Sequence, residues 1–136
     1  ELENFASDLK LTNIRFLGGL PASQVNEYYK AADIFLLVST REPWGLVVNE
    51  AMCFGCPIIV SKNCGCSHDL IDGNGWILDD PNDYIKLSHF ISTILLNKKQ
   101  FLEFSSNSCK IIKNYNIKNA AISIENSIKN TQRHIV

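Results

Sequence analysis

Residues 34–61 read Ile34-Phe35-Leu36-Leu37-Val38-Ser39-Thr40-Arg41-Glu42-Pro43-Trp44-Gly45-Leu46-Val47-Val48-Asn49-Glu50-Ala51-Met52-Cys53-Phe54-Gly55-Cys56-Pro57-Ile58-Ile59-Val60-Ser61. The first five residues are a continuous apolar run, which is what a strand buried on both faces of a parallel sheet requires. From Gly45 to Phe54 the apolar positions Leu46, Val47, Ala51 and Phe54 recur with helical spacing. Gly55 sits where a helix takes its C-terminal cap and Pro57 forbids continuation, so a second apolar strand begins there and runs to Ser61. Strand, helix, strand in this order predicts a crossover between two parallel strands.

Working outward, Ile14 to Leu17 reads as a further strand, and Ser23 opens a helix through about Ala32 with Val25, Tyr28, Tyr29 and Ala32 on its apolar side. Lys62 to Ser67 reads as a loop. Asp72-Gly73-Asn74-Gly75 is a turn leading into a strand from Gly75 to Leu78. Asp80 as N-cap, Pro81 in the first turn and Asp83 as an early acid predict a helix from there to about Leu96, its core face made by Tyr84, Leu87, Ile91 and Leu95. Two more helices are expected, about Lys99 to Lys113 and Ile117 to Asn130. The fold class is therefore α/β, a Rossmann-like open parallel sheet with helices on both faces.

The 136 residues suit one domain, with 46% hydrophobic and 20% charged content typical of a soluble core. Thirteen basic against fourteen acidic residues leave a formal charge of −1. No basic face for nucleic acid or anionic lipid is indicated, and a small-molecule partner is favoured. The apolar runs are too short to cross a bilayer, and the first residues lack a signal-peptide layout. Five cysteines in a chain of this size argue against a secreted disulfide framework and for a cytoplasmic protein. Cys53-x-x-Cys56 followed by Cys64-x-Cys66 raises a zinc site. Cys53 falls inside a helical pattern and Cys56 between Gly55 and Pro57, so packing of small apolar side chains is the preferred reading and no metal is expected.

In open α/β sheets ligands sit beyond the carboxyl ends of the strands, here the loops after Val38 and Ser61. Glycine at the junction of the first loop with its helix lets a ligand approach the backbone, and the free amides of a helix start favour a diphosphate. Glu42 precedes that helix and Glu50 lies within it. Carboxylates accept hydrogen bonds from vicinal hydroxyls, so the pair suits a ribose or hexose. The plain alternative is that Glu50 is a solvated helix residue and Glu42 a loop charge. Arg41 and His68 lie beside the site and are read as surface residues.

The run from Glu42 to Ser61 resembles the E-x7-E signature region of the group 1 glycosyltransferases, glycosyltransferase family 4. Ile14-Arg15-Phe16-Leu17-Gly18 and Tyr28-Tyr29-Lys30-Ala31-Ala32-Asp33-Ile34-Phe35 resemble the family's preceding strand and helix end. Gly65-Cys66-Ser67-His68-Asp69-Leu70-Ile71-Asp72-Gly73-Asn74-Gly75-Trp76 resembles its following glycine-rich block. The likeness covers most of residues 14–96. It implies the C-terminal half of a two-domain GT-B fold, N-terminally truncated, so that residues 1–136 form a partial nucleotide-sugar-binding domain without its first βα unit and without the acceptor domain.

It further implies a retaining hexosyltransferase that moves a sugar from a UDP- or GDP-linked donor to an acceptor hydroxyl in bacterial polysaccharide or glycoconjugate synthesis. No cofactor or metal is implied. The acceptor, a sugar or lipid-linked species, would be held by the missing domain, which would also allow peripheral attachment at the inner face of the membrane. By itself this chain is expected to be inactive. Glu42 is implied as the catalytic residue at the sugar. Donor contacts are implied for Glu42, Trp44, the Gly45, Leu46 and Val47 backbone, Glu50 on the ribose, Gly65 and Cys66. Trp44 stands where phenylalanine is commoner, Cys66 where a second glycine is usual and Asp69 where glutamate is usual; the Cys66 side chain is expected to crowd the donor loop. A non-catalytic nucleotide-sugar-binding or regulatory module, and a GT-B epimerase or phosphorylase, are the alternatives.

Overall fold

The computed structural model describes residues 1–132. Its elements run α1 (Leu2–Asp8), α2 (Ala22–Ala31), β1 (Phe35–Leu37), α3 (Leu46–Cys53), β2 (Ile58–Ser61), α4 (Ser67–Leu70), β3 (Gly75–Leu78), α5 (Tyr84–Leu96), α6 (Lys98–Ile112) and α7 (Ile117–Gln132). The three strands form one parallel sheet in the order β1-β2-β3. Leu36 lies beside Ile59 and Ile59 beside Trp76, so all three strands deliver their carboxyl ends to one edge.

The central strand explains why helices cover both faces. Ile58, Ile59, Val60 and Ser61 are all fully buried. Side chains alternate along a strand. Ile58 and Val60 pack with Tyr29 of α2, Val48, Ala51 and Met52 of α3, and Leu70 of α4. Ile59 packs on the other side with Ile94 of α5 and Phe104 of α6, together with Trp76, Phe90 and Ile91. Each fully buried aliphatic side chain contributes about 1.5–3 kcal/mol. The indole of Trp76 stacks on Phe90 at 4.8 Å and meets the Phe104 ring edge-on at 5.1 Å, which seals this second layer.

The helix and strand pattern of residues 34–61 forms as its sequence predicts, with Gly55 in the left-handed region at φ 77° just past α3. Several details differ. The expected strand at Ile14 to Leu17 does not form. A strand persists only by pairing, and among the described residues none lies beside this segment; Ile14, Phe16 and Leu17 are more than two-fifths exposed. Strand β1 is at the edge of the sheet and its Leu36 is 39% exposed, so that strand is not buried on both faces.

The buried stripe of α3 is Val48, Ala51 and Met52, while Leu46 and Val47 face outward. Finally, α5 is capped by Asp83, whose carboxylate accepts from the Lys86 amide at 2.9 Å; Asp80 instead accepts from the Asn82 amide and closes the preceding turn. The inward face is made by Leu87, Phe90, Ile91 and Ile94, which pack with Ile59 and Trp76, while Tyr84 and Leu95 lie beyond its margin and are exposed. Tyr28 of α2 is likewise exposed, whereas Tyr29 is buried.

Candidate functional site

The loops that follow β1 and β2 are joined into one surface at the carboxyl edge of the sheet. Glu42 and Cys64 form an isolated parallel bridge. Its backbone seam consists of Glu42 N–H to Asn63 O at 3.1 Å, Gly65 N–H to Glu42 O at 2.9 Å and Cys66 N–H to Trp44 O at 3.0 Å. Beneath it the Ser61 hydroxyl donates to Ser39 O at 2.5 Å, and the Cys64 thiol donates to Leu37 O at 3.3 Å. The seam is possible because residue 65 has no side chain. A β-carbon there would lie 2.0 Å from the Pro43 carbonyl oxygen.

Gly45 initiates α3 at φ 95°, a left-handed conformation that L side chains rarely adopt. Its own missing β-carbon would meet Leu37 Cδ2 at 2.9 Å and Cys66 Sγ at 3.3 Å. No side chain caps this start. The first N–H groups of a helix lack intrahelical acceptors and carry the positive end of its dipole. Leu46 and Val47, 64% and 38% exposed, hold this start at the surface of the strand edge. The arrangement can accept a phosphate on backbone amides alone.

Two carboxylates accompany that helix start. Glu42 is half-buried in the loop, and its Oε1 accepts from the Trp44 amide at 3.3 Å. Glu50, from the body of α3, is exposed, and its Oε2 accepts from the Tyr29 hydroxyl at 3.0 Å. The Trp44 indole N–H is directed to Asn49 Oδ1 at 3.0 Å, fixing the ring against α3. Glu50, Asn49 and Cys53 line a cavity of about 620 Å³ against the C-terminal end of α6. Trp44 and Asn49 line a neighbouring one of about 510 Å³ against the start of α7. Tyr115 and Asn116 belong to both, whereas Glu42 and Gly45 line neither.

Cys66 is placed differently from its expected crowding of the donor loop. Its side chain is fully buried beneath Gly45, so it supports the loop from within. Burial, with Cys64 beside it, pushes its thiol up to about 11. Cys56 and Cys64 are buried as well, Cys56 donating to Tyr29 O at 3.4 Å, while Cys53 is exposed. Among the described residues no cluster of three or more His, Cys, Asp or Glu side chains is arranged to hold a metal ion. No helix among them is long and apolar enough to cross a membrane. Arg41 and His68 are exposed at the rim.

Sequence reading missed two tyrosines. Tyr29 reads in the sequence as part of an apolar helix face and of the family-like segment ending at Phe35, and nothing in its spacing relates it to Glu50, 21 residues away. The Tyr115 hydroxyl donates to Asp69 O at 2.7 Å, tying the end of α6 to α4. For Tyr29 the available signal is the amphipathic nature of tyrosine, an apolar ring with one donor that seeks a partner when buried; Tyr115 is 44% exposed and carries no such signal.

Comparison with known proteins identifies the family and the fold. Residues 1–118 match the model of the family "Glycosyl transferases group 1". A D-inositol 3-phosphate glycosyltransferase of Corynebacterium kroppenstedtii is 37% identical over 84 residues, 61% of this chain and 19% of the relative. A trehalose synthase of Pyrococcus horikoshii is 33% identical over 86 residues, 62% of this chain and 21% of the relative. The chain thus spans about a fifth of the length of these curated relatives. Among solved structures, HepE of Anabaena in complex with UDP-glucose superposes with a TM-score of 0.78 at 26% identity, over 93% of this chain and 35% of that one. Sucrose-phosphate synthase of Thermosynechococcus elongatus shares the fold with a TM-score of 0.82 at 24% identity, over 98% and 34%. Its sheet and helices are those of the C-terminal domain of the GT-B fold, and the chain belongs to the group 1 glycosyl transferases.

Proposed function

We propose that this chain is the donor-binding part of a retaining glycosyltransferase that uses a UDP- or GDP-linked sugar. The carrying observation is the uncapped start of α3 at Gly45, set at the carboxyl edge of the sheet with Glu42 before it and Glu50 within it. The likeness to a protein that binds UDP-glucose supports the same reading.

In this reading the diphosphate rests on the amides of Gly45, Leu46 and Val47. The acceptor oxygen bonds to the anomeric carbon as the bond between that carbon and the phosphate oxygen breaks, and the diphosphate takes up the acceptor hydroxyl's proton. Negative charge develops on the departing phosphate oxygen. Fixed amide dipoles stabilise it without reorganising. Glu42 accepts hydrogen bonds from the sugar hydroxyls and orients the anomeric carbon toward the acceptor oxygen. Trp44 forms a wall of this sugar site, and Gly65 and Cys66 hold its floor. Glu50 accepts from the ribose. No divalent cation takes part. The acceptor, a sugar or lipid-linked hydroxyl of polysaccharide or glycoconjugate synthesis, is held by a second domain on the cytoplasmic side, at the membrane face where the acceptor is lipid-linked. Both substrates must be fixed and water excluded, so this chain alone transfers nothing.

The test is a panel of nucleotide sugars added to the full-length protein, with thermal unfolding as the readout. A cognate donor binds only the folded state and raises its stability through linkage, by about 2.7 kcal/mol at a hundredfold excess over Kd. A donor that protects must then release its nucleoside diphosphate when acceptor is supplied. A panel in which no nucleotide sugar or nucleoside diphosphate protects would contradict the proposal.

A further inference from the structure

Glu50 projects from α3 into solvent, where a glutamate side chain samples many rotamers. In this fold it does not stand alone. The Tyr29 hydroxyl donates to its Oε2 at 3.0 Å. Tyr29 itself is held on every side: it is 7% exposed, its ring stacks on Phe54 and tilts against Phe35, both at 5.8 Å, and its carbonyl accepts from the buried Cys56 thiol. Helix α3 is equally fixed, through fully buried Val48, Ala51 and Met52.

We infer that Tyr29 is a positioning residue for the nucleotide, a fixed phenol that holds the Glu50 carboxylate in one orientation with Oε1 turned free for a ribose hydroxyl. This inference rests on the assignment of Glu50 to the ribose. Tyr29 touches no ligand; it acts by restricting Glu50 before the ligand arrives, so that binding loses less side-chain freedom. Burial, and then the bond to Glu50, push the Tyr29 hydroxyl up to about 12, so at neutral pH it is a donor throughout. An effect of this kind acts on ground state and transition state alike, and therefore on KM and not on kcat.

The experiment is a double-mutant cycle in the full-length protein with Tyr29→Phe and Glu50→Ala. UDP and GDP are titrated as probes, and donor KM and kcat are measured with whichever donor protects the protein. Tyr29→Phe keeps the ring and all its packing, so its thermal midpoint stays near that of the wild type. It is expected to raise the nucleoside diphosphate Kd and the donor KM about threefold to tenfold, the equivalent of one lost hydrogen bond. In the Glu50→Ala background the same substitution changes neither. Unchanged affinity in Tyr29→Phe, with Glu50→Ala weakened, overturns the inference and leaves the ribose assignment standing. A loss of equal size in both backgrounds, or one confined to kcat, shows a structural role and also overturns it. Wild-type affinity in Glu50→Ala removes the ribose assignment and the inference together.

Discussion

Gly65→Ala in the full-length protein adds one methyl group at the seam between the two loops of the site, and its effect follows from a single distance. The new β-carbon would stand 2.0 Å from the Pro43 carbonyl oxygen, 2.9 Å from its carbon and 3.3 Å from Trp44 Cα. Real β-carbons keep at least 3.0 Å from such atoms, so the two backbones must part by about 1 Å. Both neighbours are backbone, and no rotamer change relieves the overlap. A separation of that size takes the Gly65 to Glu42 and Cys66 to Trp44 bonds from 2.9 and 3.0 Å to about 4 Å, beyond hydrogen-bond range.

Losing two or three such bonds costs about 1–4 kcal/mol. For a domain of this size that lowers the thermal midpoint by roughly 5–15 °C. The same movement carries Glu42 and Trp44 away from the donor, and a misplacement of about 1 Å can cost a hundredfold in rate. Circular dichroism melts and initial rates of Gly65→Ala provide the assay, with Asn63→Ala on the exposed side of the same loop as control. A Gly65→Ala protein that melts with the wild type and binds donor normally would refute the picture of two loops locked into one surface.

Gly45→Val combines a left-handed φ of 95° with a side chain driven into Leu37 and Cys66, so nucleoside diphosphate binding is expected to disappear in titration; transfer at the normal rate would place the diphosphate elsewhere. Treatment with a chelator is expected to leave the transfer rate unchanged, because amide dipoles meet the charge of the leaving group; activity lost to chelator and restored by magnesium or manganese would contradict this. Burial raises the Cys66 thiol from 9.0 to about 11. The folded state therefore favours the protonated thiol, and that contribution is intact below pH 9 and lost as pH rises through 11. Urea midpoints measured across this window should fall in the wild type and fall less in Cys66→Ala; identical profiles would show that the thiol does not titrate as its burial requires.

The sequence made the centre of the fold legible because residues 34–61 carry several agreeing signals. Ile58 to Val60 are apolar without alternation, Gly55 and Pro57 punctuate the chain, and Gly75 to Leu78 follows a strong turn; in the structure β2 and β3 form there and α3 ends before Gly55. The placement of Glu42, Gly45 and Glu50 was legible for the same reason, since the strand-helix-strand order puts Glu42 and Gly45 in the loop after β1 and Glu50 in the helix that follows it. Pairing and phase were not legible. Ile14 to Leu17 has strand composition, and composition does not supply a neighbouring strand. In α5 the stripes Tyr84, Leu87, Ile91, Leu95 and Leu87, Phe90, Ile91, Ile94 overlap at helical spacing, and packing on Ile59 and Trp76 selects the second, leaving Tyr84 and Leu95 outward. Long-range contacts carry no local signature either, which is why the Tyr29–Glu50 bond and the seating of Cys66 beneath Gly45 emerge only in three dimensions.

The central claim is that the start of α3 takes the diphosphate while Glu50 takes the ribose. Calorimetric titration of the full-length protein with the cognate nucleoside diphosphate and with its 2′-deoxy and 3′-deoxy forms, in wild type and in Glu50→Ala, tests it most directly. One charge-assisted hydrogen bond is worth about 1.5–3 kcal/mol, so Glu50→Ala should weaken the parent nucleotide roughly ten- to a hundredfold. One of the deoxy forms should show the same loss on the wild type and no additional loss on Glu50→Ala. Equal penalties for both deoxy forms in the two proteins, or unchanged affinity in Glu50→Ala, would contradict the account.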